Sequence, residues 1–268
     1  MTSWATIGAL AVAAMSAVAT PAALAAPAPS TVIANLDLGK PFGARSAWRL
    51  IATEGPPITD PIVGDDTIPG SISLCLTKTT PAQCAPLADM PSAQPGADSL
   101  FSVPHYLNNT QIVHPRGPSA KPLLLVQTAS MLSGDGDQAV VTRLLVYQRA
   151  ADKFAPIYEH TTGHNNNQEV RYVAAGPLMG DVIAVEPTQD KPYGFWVTVS
   201  QLTSAYTYKQ VLRYRSATHY GDGNPLAVID SEMPNLEAHL GLWKPGAPLP
   251  APAKCAHPHL VKAELWCN

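Results

Sequence analysis

The sequence predicts an all-β fold, mainly antiparallel: a β-sandwich or barrel-like single domain with one short helix. Three observations carry that expectation. Apolar and polar residues alternate in short runs, the period of a strand with one wet face. Turn signals separate those runs every ~8–12 residues, as in sandwiches and barrels. The 27 prolines and 18 glycines among 268 residues leave little room for long helices. A small β-propeller is the alternative, because Gly134-Asp135-Gly136-Asp137 recurs later as Gly221-Asp222-Gly223-Asn224.

The N-terminus reads as a targeting segment. Residues 1–25 carry no charged side chain, and 4–18 form a nearly continuous apolar run of secretory length. Thr20 and Pro21 break the run, and Ala23-Leu24-Ala25 follows as a small-x-small cleavage signal. No Lys or Arg precedes the run, a departure from the usual positive start. The competing reading is an uncleaved anchor, but the run is short for a span and Pro21 ends its helix. The expectation is a signal peptide over 1–25 and export to the periplasm or cell exterior from Ala26, with no membrane span afterwards. Residues 26–47 read as a leader, 48–243 as the β-rich domain, and 244–268 as a Pro-rich tail with a final disulfide-linked strand.

The elements follow in order. Residues 48–53 and 71–77 read as strands around a loop rich in proline and aspartate. Residues 81–104 are irregular. Strands are expected at 123–130, 139–148, 154–161, 169–174, 181–185, 195–200 and 206–216. In the last, Tyr206, Tyr208, Leu212 and Tyr214 share one face, while Lys209, Arg213 and Arg215 share a solvated one. A helix is expected with Ser231 as cap, Pro234 in the first turn and Gly241 as a left-handed stop. Residues 260–266 read as the last strand.

Four cysteines agree with export. Local pairing, Cys75–Cys84 and Cys255–Cys267, is the first choice, because each pair brackets a proline turn. A zinc site using His257 and His259 beside Cys255 competes, but the spacing fits no zinc pattern.

Charge limits the partners. Lys and Arg number 17 against 20 Asp and Glu, a net −3, so no basic excess points to nucleic acid or anionic lipid. Charged residues are 14% of the chain and hydrophobic ones 46%, which excludes a disordered protein.

Three groups could carry chemistry. In the Gly-Asp-Gly turns, Asp135, Asp137, Asp222 and Asn224 offer oxygens around flexible glycines, which suits calcium; the plainer role is a tight turn. No other cofactor is expected. The polar run Asn165, Asn166, Asn167, Gln168 and Glu169, with Trp196 as a stacking partner, suits a sugar; the plainer role is again a turn. Asp230, Glu232 and Glu169 are candidate paired acids for a glycosidase, though Asp230 and Glu232 also suit the start of the helix. No Gly-x-Ser-x-Gly elbow, phosphate loop or dinucleotide fingerprint is present.

The sequence therefore points to a non-enzymatic envelope or extracellular protein, ligand-binding or structural. Its partner would be a small molecule, glycan or envelope component. The alternative is a secreted hydrolase acting on carbohydrate. The two Gly-Asp-Gly turns, the Asn165 run and the Asp230 segment are expected to meet at least in part, because sandwich loops collect at two ends. That patch is expected to lie apart from the disulfide-bearing elements.

Overall fold

In the computed structural model, residues 30–78, 85–86, 103–117, 120–134, 136–163 and 167–268 are described. They form a nearly all-antiparallel β protein, as expected. Sheet one begins with β1 (Thr31–Asp37) and β2 (Arg49–Glu54), makes a small side hairpin of β3 (Ile58–Thr59) and β4 (Thr67–Ile68), and continues with β5 (Ile72–Thr77) and β6 (Ala85–Pro86). Sheet two is a meander of β7 (Tyr106–Val113), β8 (Leu123–Ala129), β9 (Val140–Gln148) and β10 (Lys153–Thr162). Sheet three is a second meander of β11 (Glu169–Tyr172), β12 (Val182–Pro187), β13 (Gly194–Leu202) and β14 (Tyr208–His219). Two short helices, α1 (Val228–Ser231) and α2 (Met233–His239), and a hairpin of β15 (Pro258–Val261) and β16 (Glu264–Cys267) complete the chain. None of the described helices is long and apolar enough to cross a membrane.

The sandwich has three layers of sheet. Alternate residues of β8 and β9 point to opposite faces. Leu124, Val126, Leu145 and Tyr147 pack with Leu50, Ala52, Leu74 and Leu76 of sheet one. Leu123, Leu125, Leu144 and Val146 pack with Val170, Tyr172, Val182 and Ala184 of sheet three. Sheet two is thus buried on both faces, which is why Leu123-Leu124-Leu125-Val126 is a continuous apolar run. The far face of sheet three, with Ile183, Val185, Phe195 and Val197, is covered by Val228, Ile229 and Leu236 of the helices.

Asp152, in the turn between β9 and β10, ties sheet two to sheet one. Its carboxylate accepts hydrogen bonds from Lys78 Nζ (2.7 Å), Trp48 Nε1 (2.9 Å), Tyr147 OH (2.7 Å) and Ser46 Oγ (2.8 Å). Lys78, then the three neutral donors, hold this carboxyl far below its ordinary 3.8. A depressed folded value means stability that is complete above the unfolded value and lost as pH falls below it. Asp152→Asn should therefore lower the melting temperature by several degrees at pH 7. The gap to wild type should shrink as pH drops below 3.8. Equal melting temperatures at neutral pH would show that the cluster does not stabilise the fold.

Several elements differ from the sequence expectation. β1 lies within the segment read as a leader: Ala34 and Leu36 reach the first core while its other residues stay wet, so the alternation is faint. The β3–β4 hairpin lies in the segment read as a loop. β7 was missed because Asn-Asn-Thr-Gln disfavours strand locally, and pairing along β8 overrides that. The last strand is a hairpin: Lys262 and Ala263 both take positive φ, 50° and 72°, as a two-residue mirror turn requires, without the Asn-Gly that would signal it. Cys255 and Cys267 bridge the two sides of this hairpin, with Cα atoms 5.4 Å apart. Cys75 lies in β5, whereas Cys84 falls outside the described residues.

The helical segment starts earlier than expected. Ala227 is the N-cap, and Ser231 is buried inside the first turn, where its Oγ meets Thr218 Oγ1 (2.8 Å) and Asn224 Nδ2 (2.9 Å). The C-terminus is as expected. Gly241 has φ 70°, its N–H donates to Ala238 O (3.0 Å), and Leu242 N–H donates to Glu237 O (2.8 Å), a Schellman stop. The Gly-Asp-Gly repeat is not structural: its first copy joins β8 to β9, and its second leads from β14 into α1.

Candidate functional site

Sheets two and three share a core. At the end carrying the β8–β9, β10–β11 and β12–β13 connections, a cleft of about 540 Å³ opens between them. Its walls include Asp137, Thr161, Gln168, Glu186, Trp196 and Arg213. That volume suits a small ligand, and the lining is polar around one large aromatic ring.

Each wall residue is placed by local structure. On β13, Phe195, Val197 and Val199 face the helices, so Trp196 faces the cleft. Arg213 arrives through a β-bulge. The β13–β14 register runs Val199↔Leu212 and then Ser200↔Gln210, leaving Val211 as the extra residue. The bulge splits the face expected for Tyr206, Tyr208, Leu212 and Tyr214. The first two pack toward sheet two and the last two toward the helices. Beyond the bulge, Arg213 therefore shares a side with Trp196 and sits 4.6 Å over its ring. Among the described residues this guanidinium has no hydrogen-bond or carboxylate partner, so its donors remain for a ligand. Glu186 Oε1 lies 3.3 Å from His160 Nε2.

The rim loop closes tightly. Gln168 Oε1 accepts from Gly163 N (3.2 Å) and Thr162 Oγ1 (3.3 Å). A Cβ at Gly163 would come within 2.6 Å of Gln168 Nε2 and 2.9 Å of Asp137 Oδ1, so glycine permits the approach. Asn167 takes φ 59°, a left-handed turn position that Asn tolerates. Asn165 and Asn166 lie outside the described residues, as does Asp135.

The candidate acids lie elsewhere and are engaged. Arg171 holds two of them: Nη1 donates to Asp230 Oδ1 (2.5 Å) and Nη2 to Glu169 Oε2 (3.0 Å). Glu169 Oε1 also accepts from Ile229 N (3.2 Å). Glu232 is fully buried and accepts four bonds, from Thr218 N (2.7 Å), Thr218 Oγ1 (2.7 Å), Tyr214 OH (3.0 Å) and Asn235 Nδ2 (3.1 Å). It stands at the N-cap position of α2, as the start of the helix was expected to hold it, but its side chain makes no cap bond and serves as a buried anchor.

The calcium candidates mostly shape turns. Asp222 Oδ1 accepts from Asn224 N (2.8 Å) and Oδ2 from His219 N (3.0 Å), while Asn224 Oδ1 accepts from Leu226 N (3.0 Å). Glu264 lies against Asp222, and burial, then that charge, raises its carboxyl above the ordinary range. Asp137 Oδ1 accepts from Gln138 N (3.0 Å). Among the described residues no three His, Cys, Asp or Glu side chains converge as a metal site.

All four polar segments do connect. Asp137 meets the Gly163–Gln168 loop, Glu169 meets the Asp230 segment through Arg171, and Asn224 meets Ser231. The patch is not apart from the disulfide-bearing hairpin, however. Asn224 Nδ2 donates to Leu265 O (2.9 Å) and Asn235 Nδ2 to Ala263 O (2.9 Å). Of the residues singled out from sequence, the structure brings Trp196, Gln168 and Asp137 to the cleft. Arg213, read from sequence as part of a solvated strand face, and Glu186 reach the cleft because the bulge and the stacking of sheets place them there.

No protein-family model, curated protein or solved structure matches the chain.

Proposed function

We propose that this chain is an exported, non-enzymatic protein that binds a polar ligand, a glycan or other envelope component, in the cleft between sheets two and three. The observation that carries this reading is the Trp196–Arg213 pair. An indole backed by a guanidinium with unfilled donors, ringed by Thr, Gln and carboxylate side chains, matches a ligand dense in hydroxyls. Export is supported by the apolar run over 4–18 with its small-x-small end, and the Cys255–Cys267 bridge is compatible with an oxidising compartment. The binding reading is favoured over hydrolysis because the acids proposed for hydrolysis are tied to Arg171 or buried among four donors.

A glycan array followed by calorimetry on the strongest oligosaccharide tests this. Trp196→Ala is expected to weaken binding by about tenfold, the loss of a stacked ring plus the anchor that orients Arg213. Absence of any glycan binding, or binding indifferent to Trp196→Ala, would overturn the assignment of this cleft.

A further inference from the structure

A second cleft, of about 580 Å³, lies between the same two sheets at the opposite end, where the β7–β8, β11–β12 and β13–β14 connections meet. It is independent of the glycan reading. Its walls combine apolar surface from Pro115, Met179 and Leu202 with two opposite charges, Asp181 and Arg116.

These charges do not pair. Asp181 is only 9% exposed, and among the described residues its carboxylate accepts one hydrogen bond, from Gln201 Nε2 to Oδ2 (3.1 Å). No Lys, Arg or His among the described residues comes within bridging distance of it; burial, first, pushes its carboxyl above the ordinary value, while the Gln201 bond and then the Arg116 charge favour the charged form. Arg116 is held from behind, where Nη2 donates to Gly176 O (2.7 Å) and to Pro177 O. Its Nε and Nη1 make no bond among the described residues. Outside the cleft lining, in the core between the two sheets, the buried Tyr172 hydroxyl has no partner among the described residues; burial first and the Asp181 charge second push the phenol up to about 12. One cleft thus carries a nearly buried carboxylate and an exposed guanidinium of opposite charge, each using only part of its hydrogen-bonding capacity among the described residues.

The two strands of chain that carry the charges are pressed together. Gly180 has φ 94°, and a Cβ there would sit 3.2 Å from Arg116 N and from Pro115 Cα. The backbone positions that carry the charges therefore sit side by side.

We propose that this cleft binds a zwitterion of the free α-amino-acid class, with its ammonium on Asp181, its carboxylate on Arg116 and its side chain against the apolar wall. A pure cation would meet Arg116 and a pure anion would meet Asp181. A molecule carrying both charges on one carbon satisfies each at once.

The test is calorimetry and thermal shift on the full exported chain with the common L-amino acids, then with N-acetyl and methyl-ester forms of the tightest one. At least one free amino acid should bind, and blocking either end should weaken it by about tenfold or more. Asp181→Asn should weaken the free amino acid similarly and abolish discrimination against the N-acetyl form. Arg116→Gln should do the same for the methyl ester. Arg116 is exposed, so its variant reports on binding even if Asp181→Asn does not fold. No binding by any amino acid, or binding indifferent to Arg116→Gln, overturns the proposal. Glycan binding at the other cleft stands or falls separately.

Discussion

Glu232→Ala is expected to destabilise the protein by about 3–5 kcal/mol, measured by urea unfolding. The carboxylate is fully buried and serves four donors on two elements, β14 and α2. Removing it leaves the Thr218 N–H and the Tyr214 hydroxyl without acceptors in a dry site, at ~1–3 kcal/mol each. The lost charge-assisted bonds add to that. Burial, then the Glu232 charge, also keeps the Tyr214 phenol well above its ordinary value, so both partners depend on this contact. Glu232→Gln keeps the volume but points an amide at donors, and should fall between the two. A catalytic acid predicts the opposite pattern: activity lost with stability kept. A change below about 1 kcal/mol for Glu232→Ala would remove the anchor role.

Leu144→Ala and Leu145→Ala are each expected to cost about 2–5 kcal/mol, a large share of a typical total of ~5–15 kcal/mol. These neighbours point to opposite faces of sheet two. Leu144 packs into the core shared with sheet three and Leu145 into that shared with sheet one. Both are almost completely inaccessible. A two-sheet sandwich with one wet face would make one of the two substitutions nearly neutral, within about 0.5 kcal/mol. Equilibrium unfolding of both variants therefore reads the layer order directly. One neutral result would contradict the central position of this sheet.

Local chemistry in the sequence determined much of the strand map. The runs at 123–130, 139–148 and 195–200 nearly match β8, β9 and β13, because a strand's period is set by the backbone and needs no partner to be visible. Gly241 ends the helix as expected, because a left-handed C-terminal position disfavours a Cβ. Cys255 and Cys267 pair as expected, being twelve positions apart across one turn.

Tertiary structure alone decided where those strands point and what the polar residues do. A single extra residue at Val211 reverses which side chains of β14 face sheet two, and a one-residue slip leaves no mark in composition. That slip sets Arg213 on Trp196 and makes a cleft of what reads as a solvated face. Glu169 and Asp230 look like free carboxylates until Arg171 is brought between them, with Asp230 lying 59 positions along the chain from that arginine. Charge pairing, burial and the spacing of two sheets depend on three-dimensional distance. Sequence periodicity encodes which face a residue takes, and the stacking of layers decides what that face meets.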